Sequence, residues 1–148
     1  MTLQTPDGFR HGYALPVRYA DMDTLGHVNN AKYLTYVEQA RITYVRDLGL
    51  WDGKASPYGI IMARAEVDYR SPVTMDDGEA LVFSRTTRIG GKSFEMEHLV
   101  MVERGGLPVL AARAVIVGVA FDYQNNATIT VPEDWRAKIA AYEGWPNP

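Results

Sequence analysis

The densest reactive chemistry in the chain lies between Tyr19 and Arg41, where YADMDTLGHVNNAKYLTYVEQAR gathers Asp21, Asp23, His27, Asn29 and Asn30 ahead of a helical pattern. A carboxylate in a loop that feeds a helix sits beside unpaired backbone N–H groups and the positive end of the helix dipole. Those N–H groups can polarise a carbonyl and steady an oxyanion, while an aspartate attacks the carbonyl or deprotonates a water that does. This is equipment for acyl transfer, and Gly26 permits the sharp turn and close substrate approach it needs. The same residue types also serve as helix caps and turn formers. A lone histidine such as His27 is commonly a structural group, so residue type leaves both readings open.

The elements that must position this cluster follow from periodicity. Residues 1–12 mix Thr, Pro, Asp, Gly and His without pattern and are expected to be a loosely ordered lead-in to a single domain over 13–148. Tyr13 to Tyr19 reads as a strand. From Asn29 to Leu48, Tyr33, Val37, Ala40, Tyr44 and Leu48 recur at steps of four and three, the stripe of an amphipathic helix about 30 Å long. Lys32, Glu38, Arg41 and Arg46 are expected on its wet face. Asn29 or Asn30 can cap its start, and Gly49 suits a left-handed cap at its end.

Beyond the helix the period changes to two. Ala63, Ala65, Val67 and Tyr69 alternate with Arg64, Glu66, Asp68 and Arg70, as in a strand with one wet face, and Pro72 with Asp76-Asp77-Gly78 ends it. Glu79–Ile89 and Lys92–Glu103 are strand-like runs joined by Gly90-Gly91, read as a two-residue hairpin turn that tolerates positive φ at both positions. Gly105-Gly106 marks the next hairpin. Val109 to Phe121 is apolar on both alternating sets apart from Arg113, so both faces should be covered, and Pro132 to Tyr142 should close the chain as a short helix. One long helix against a curved antiparallel sheet is an α+β layer arrangement. The helix cannot cover the outer face as well, which points to at least a dimer.

Composition narrows the function. The 148 residues are 47% hydrophobic and 22% charged, with a net charge of −3, no block of like charges and no cysteine. Phosphate-backbone binding, thiolate metal sites and cysteine nucleophiles are thereby set aside. No window reaches the roughly eighteen apolar residues of a membrane span and no leader is evident, so a cytoplasmic protein is expected. Asp21-Met22-Asp23 with Gly26 imitates a calcium loop, but Leu25 and Lys32 stand where ligands are needed, and no metal is expected. Gly90-Gly91-Lys92-Ser93 imitates a phosphate loop in a strand–turn–strand context that cannot serve as one. His98, in step with Phe94, Met96, Val100 and Val102, is expected in the core or an interface. Arg113 requires a partner.

The stretch from Asp21 to Arg41 resembles the signature of hotdog-fold acyl-CoA thioesterases of the 4-hydroxybenzoyl-CoA thioesterase type, in particular their long-chain acyl-CoA thioesterase branch. The shared features are an aromatic residue before an acidic turn, then H-V-N-N, x-x-Y-L and a helix with E-x-A-R. Tyr69-Arg70-Ser71-Pro72 followed by Asp77, and Gly91-Lys92-Ser93 opening the next strand, carry the resemblance through nearly the whole chain. It implies a hotdog fold: a long central helix wrapped by a curved antiparallel five-stranded sheet, with active sites at a dimer interface. It places Asp23 on the catalytic carboxylate and His27 and Asn30 on the H-V-N-N element, which is also similar to that of plant acyl-carrier-protein thioesterases. Those enzymes have an Asn two residues after the Asp, where this chain has Leu25, which leaves Asp23 the more central. Some relatives carry the carboxylate on the helix, which makes Glu38 the second candidate beside its plain role as a solvated charge.

The resemblance implies hydrolysis of acyl-CoA to the free acid and coenzyme A by a homodimer or homotetramer, with no cofactor beyond water, while charge and hydropathy give the expectation of no nucleic-acid and no membrane partner. Asp23 is expected to act as general base or nucleophile, with helix N-terminal amides holding the oxyanion. Tyr33, Val37, Ile60 and Met62 are candidate walls for the acyl group, although each also suits the core. Gly91, Lys92 and Ser93, with Arg70 and Arg88, are candidates for the nucleotide end. A hydratase or dehydratase on the same fold, or a non-catalytic acyl-CoA-binding module, are the alternatives.

Overall fold

A computed structural model describes residues 3–51 and 54–146. The order is β1 (His11–Pro16), α1 (Asn30–Asp47), β2 (Tyr58–Tyr69), β3 (Glu79–Ile89), β4 (Ser93–Arg104), β5 (Leu107–Asp122), the two-residue β6 (Ala127–Thr128) and α2 (Glu133–Glu143), with single 3₁₀ turns at Tyr19–Asp21 and Met75–Asp77. The sheet runs β1-β3-β4-β5-β2, all antiparallel, and β6 pairs with β5.

The helical stripe is buried as its spacing requires: Tyr33, Val37, Ala40, Tyr44 and Leu48 are all in the core, joined by Tyr36. Asn29 is the cap, its Oδ1 accepting from Ala31 N at 2.9 Å, and Gly49 ends the helix at φ +72°. Beneath α1, Val82, Val100 and Ala112 stand in register on β3, β4 and β5. Small residues on β5 leave room for the tyrosines of the helix, and burial of each large side chain contributes about 1.5–3 kcal/mol. α2 closes the other end through Trp135 and Ile139. Glu143 Oε1 ties it down, accepting from the Tyr44 hydroxyl at 2.6 Å and Thr86 N at 2.8 Å.

Four local expectations are corrected. Strand β1 starts at His11 and ends at Pro16, not at Tyr13 and Tyr19, because His11 pairs with Ser84 on β3 and both His11 and Phe9 are buried. Ordered chain therefore reaches into the expected lead-in. Gly90-Gly91 is not a two-residue turn: the connection runs from Gly90 to Lys92, needs no positive φ, and is closed by Gly90 N–H on Ser93 O at 2.7 Å. Gly105 and Gly106, at φ +60° and +76°, do form the primed turn. Strand β2 has no dry face from Ile61 to Glu66: it pairs only with β5, while α1 packs chiefly on β1, β3 and β4.

Two residues that lacked partners in the sequence find them. His98 is fully buried and shares a 2.8 Å hydrogen bond through Nδ1 with Ser84 Oγ. Arg113 pairs with Glu97, which Arg85 also holds. Burial works to raise the Glu97 carboxyl, but the two guanidinium groups outweigh it and hold the group below its usual range. No described helix is long and apolar enough to cross a membrane.

Candidate active site

The loop before α1 is built by Asp23 itself. Met22 and Val28 bridge in antiparallel fashion, Asp23 N–H donates to His27 O at 2.8 Å, and Gly26 turns the chain at φ +80°. Asp23 Oδ1 accepts from Leu25 N at 2.9 Å and His27 N at 3.1 Å. Oδ2 accepts no hydrogen bond among the described residues. The carboxylate is thus held through one oxygen, and Asp23 lines a shallow groove bordered by Tyr19, Met22, Gly26, Thr74 and Met75.

Asp21, two residues earlier, has the opposite environment. It is fully buried and accepts from Arg18 N at 3.0 Å, Arg18 Nη2 at 2.8 Å and the Tyr36 hydroxyl at 2.7 Å. Burial pushes its pKa up, yet these bonds prevail and keep the carboxyl ionised below its ordinary range. Its main-chain oxygen also accepts from Asn29 N at 2.8 Å. Asp21 fastens the loop to the helix and leaves Asp23 as the acid at the surface.

The amides expected to serve as oxyanion donors are partly consumed. Asn29 takes Ala31 N through its side chain and Lys32 N through its carbonyl, and Asp23 takes those of Leu25 and His27. The amide of Asn30 takes no part in these bonds. Asn30 is exposed, and its carbonyl accepts from the Tyr69 hydroxyl at 2.9 Å, which links the helix start to the end of β2. His27 is half-buried in the same loop.

A separate cavity of about 440 Å³ opens between the middle of α1, the first half of β2 and residues 50, 51 and 54–56. Ile60 and Met62 line it, but Tyr33 and Val37 do not: they face the sheet as core, and the Tyr33 hydroxyl accepts from Val73 N. Ile42, Val45, Trp51 and Trp135 are walls that the sequence reading missed. Helical periodicity placed Ile42 and Val45 beside the stripe, which was the available signal. Glu38 and Arg41 line the cavity too, so Arg41 is half-buried and not on a wet face. The cavity and the Asp23 groove share no residue. Along the helix, Glu38 and Arg41 lie about 12 to 16 Å from its first residue.

None of the nucleotide-end candidates lines the Asp23 groove. Arg70, Arg88, Gly91 and Lys92 are exposed and Ser93 is half-buried; Lys92 Nζ reaches Thr128 Oγ1 at 3.5 Å, and Arg136 braces the Gly90 and Gly91 carbonyls. Among the described residues no three His, Asp or Glu side chains converge as metal ligands.

The family model of the Thioesterase-like superfamily matches residues 17–139. The chain belongs to the Thioesterase-like superfamily. Its fold is the α+β hotdog with a short C-terminal helix, and its enzyme class is thioesterase. A Thermus thermophilus structure described as a thioesterase complexed with coenzyme A and Zn is 37% identical, with a TM-score of 0.78 over 95% of this thioesterase and 100% of that chain. The long-chain acyl-CoA thioesterase FadM of Escherichia coli is 26% identical over 135 residues, 84% of this chain and 93% of FadM. An Arabidopsis thaliana chloroplastic acyl-acyl carrier protein thioesterase, ATL3, is 24% identical over 89% of this chain and 68% of its own length.

Proposed function

We propose that this thioesterase hydrolyses acyl-CoA and that Asp23 is the group that drives the reaction. The observation that carries the reading is the Asp23 carboxylate itself, one oxygen pinned by two loop amides and the other without a hydrogen bond among the described residues, on a residue that lines the groove. Such an oxygen is oriented without being spent, as a general base must be. Asp23 Oδ2 takes a proton from water as the water oxygen bonds to the thioester carbon. The tetrahedral oxyanion then collapses, the C–S bond breaks, and coenzyme A leaves as thiolate to be protonated, directly or by way of solvent, from Asp23. The Asn30 amide, not engaged by the cap, is the donor best placed at the helix start to meet the oxyanion. His27 keeps the loop closed through its N–H bond to Asp23.

Acyl-CoA as substrate is supported by what FadM is and by the coenzyme A in the Thermus structure. The acyl group belongs in the cavity lined by Ile60 and Met62. Because that cavity and the groove are separate within one chain, the reading includes a second copy at the exposed β2 edge, with active sites formed where two chains meet. The nucleotide end then lies at the surface, where Lys92 and its neighbours offer scattered positive charge.

The test is release of thiol from a panel of short, medium, long-chain and aromatic acyl-CoAs. Thiol release at enzyme-dependent rates supports hydrolysis. Conversion of an unsaturated acyl-CoA without thiol release would instead mark a hydratase, and binding without conversion a carrier module.

A further inference from the structure

Tyr69, the last residue of β2, ties that strand to the start of α1. Its ring stands edge-on to the buried Tyr33 ring, with centroids 5.1 Å apart and planes at 87°, and its hydroxyl donates to the Asn30 carbonyl at 2.9 Å. The bond lands on the peptide unit that caps the helix. The Asn30 carbonyl and the Ala31 N–H share one plane, and that N–H donates to Asn29 Oδ1 at 2.9 Å. Tyr69 and the Asn29 side chain therefore grip the two ends of one rigid group, each bond polarising the other. From the far side, Asn29 N–H donates to the Asp21 carbonyl and Val28 N–H to the Val73 carbonyl, both at 2.8 Å. Val73 N–H in turn donates to the Tyr33 hydroxyl at 3.1 Å. Across residues 28–32 the amides of Val28, Asn29, Ala31 and Lys32 are all committed, whereas the Asn30 amide takes no part in these bonds. That unspent N–H is on the residue whose carbonyl Tyr69 holds.

Resting on the reading of the Asn30 amide as the oxyanion donor, we propose that Tyr69 is a positioning residue for thioester hydrolysis: its hydroxyl holds the first turn of α1 so that the Asn30 N–H keeps its aim as the carbonyl carbon becomes tetrahedral. A donor to an oxyanion is effective when its direction is set beforehand, because reorientation during the reaction costs what the bond gains. The first turn of a helix is where the chain frays, since its N–H groups lie outside the ladder. The hydroxyl proton of Tyr69 is spent on Asn30, so its effect reaches the oxyanion only through the backbone. A purely structural role fits less well. Tyr69 is exposed, so water can replace its hydroxyl on the carbonyl and the bond adds little to folding.

The experiment is Tyr69→Phe, which keeps the ring against Tyr33 and removes the hydroxyl alone, with thiol release measured on the acyl-CoA that the parent hydrolyses fastest. kcat should fall about tenfold, less than outright loss of an oxyanion donor brings. KM should stay within about twofold, and the pH dependence of kcat should be unchanged because Asp23 keeps both its amide bonds. The melting temperature should stay within about 4 °C of the parent. Hydrogen exchange followed by NMR should be at least about threefold faster at the Ala31 amide, with Val37 and Ala40 unchanged. Parental kcat in Tyr69→Phe overturns the proposal and leaves hydrolysis by Asp23 standing. A raised KM at parental kcat overturns it too, since Tyr69 would then be a substrate contact. So does a fall in kcat accompanied by faster exchange along the whole of α1, which would make the role one of general stability. Absence of thiol release from every acyl-CoA in the parent would instead remove the functional reading on which the proposal rests.

Discussion

The Tyr36 hydroxyl donates to Asp21 Oδ2 across 2.7 Å inside the core, so the more buried of two nearby acids is held by the helix that the other one serves. Arg18 completes the cage from the outside. Asp21→Asn removes the charge that three donors meet and turns one acceptor into a donor facing them. The expected loss is about 2–3 kcal/mol of folding stability, read by urea titration. Where the variant is folded its kcat should stay within a few fold of the parent. A stability change below about 0.5 kcal/mol would show that the cage is not structural.

His98 gives the fold a pH dependence of known sign. Burial lowers its pKa most, followed by the charge of Arg41 and by His11, and it is pushed down to about 3. The unfolded chain takes up the proton near pH 6.5, so the contribution is complete above that pH. It is lost progressively as pH falls toward the folded value, because only the unfolded state binds the proton. Stability should decline by about 1.4 kcal/mol per pH unit below 6.5, before Asp21, Asp77 and Glu97, all held low, add their own losses nearer pH 4. His98→Gln should flatten the stretch from pH 6 to 5. An unchanged slope would mean that His98 is protonated in the native protein.

Lys92 is exposed, and the one polar contact of its side chain among the described residues, to Thr128, is long. Contacts of such a group with substrate phosphates are worth little and equally so in ground and transition states. Lys92→Ala should raise KM for acyl-CoA two- to fivefold, about the size of one screened contact, with kcat unchanged. Added salt should do the same to the parent. A fall in kcat would place Lys92 nearer the chemistry than its exposure suggests.

The exposed β2 edge, with Ile61, Met62 and Tyr69 open to solvent, and the half-buried valines of β5 should be covered by further copies of the chain. Sedimentation at micromolar concentration should give twice or four times the 16.5 kDa chain mass. A stable monomer would contradict the shared active site.

What the sequence revealed depended on how local the physics was. The α1 stripe could be read because a period of 3.6 buries one face whatever lies opposite, and the Asn29 cap because its bond spans two residues. The early start of β1 depends on His11 meeting Ser84, seventy-three positions away, and could not be read locally. Periodicity also names apolar residues without separating core from cavity wall, so Val37 and Met62 looked alike although one is sealed under the helix and the other exposed. Arg41 was misplaced for a related reason: a helical wheel says which side a Cβ takes, not where a long side chain ends. Asp23 stands out in the sequence by its motif alone. The different surroundings of Asp21 depend on Tyr36 and Arg18, which no local pattern brings beside it.

The most direct test is the kcat of Asp23→Asn. The substitution keeps the Oδ1 acceptor for Leu25 N and His27 N, so the loop and the melting temperature should be preserved while the base or nucleophile is lost. The account predicts thiol release from acyl-CoA at least about a hundredfold slower than in the parent. Turnover at the parental rate in a folded Asp23→Asn protein would contradict it, and Glu38 would then be the acid to examine.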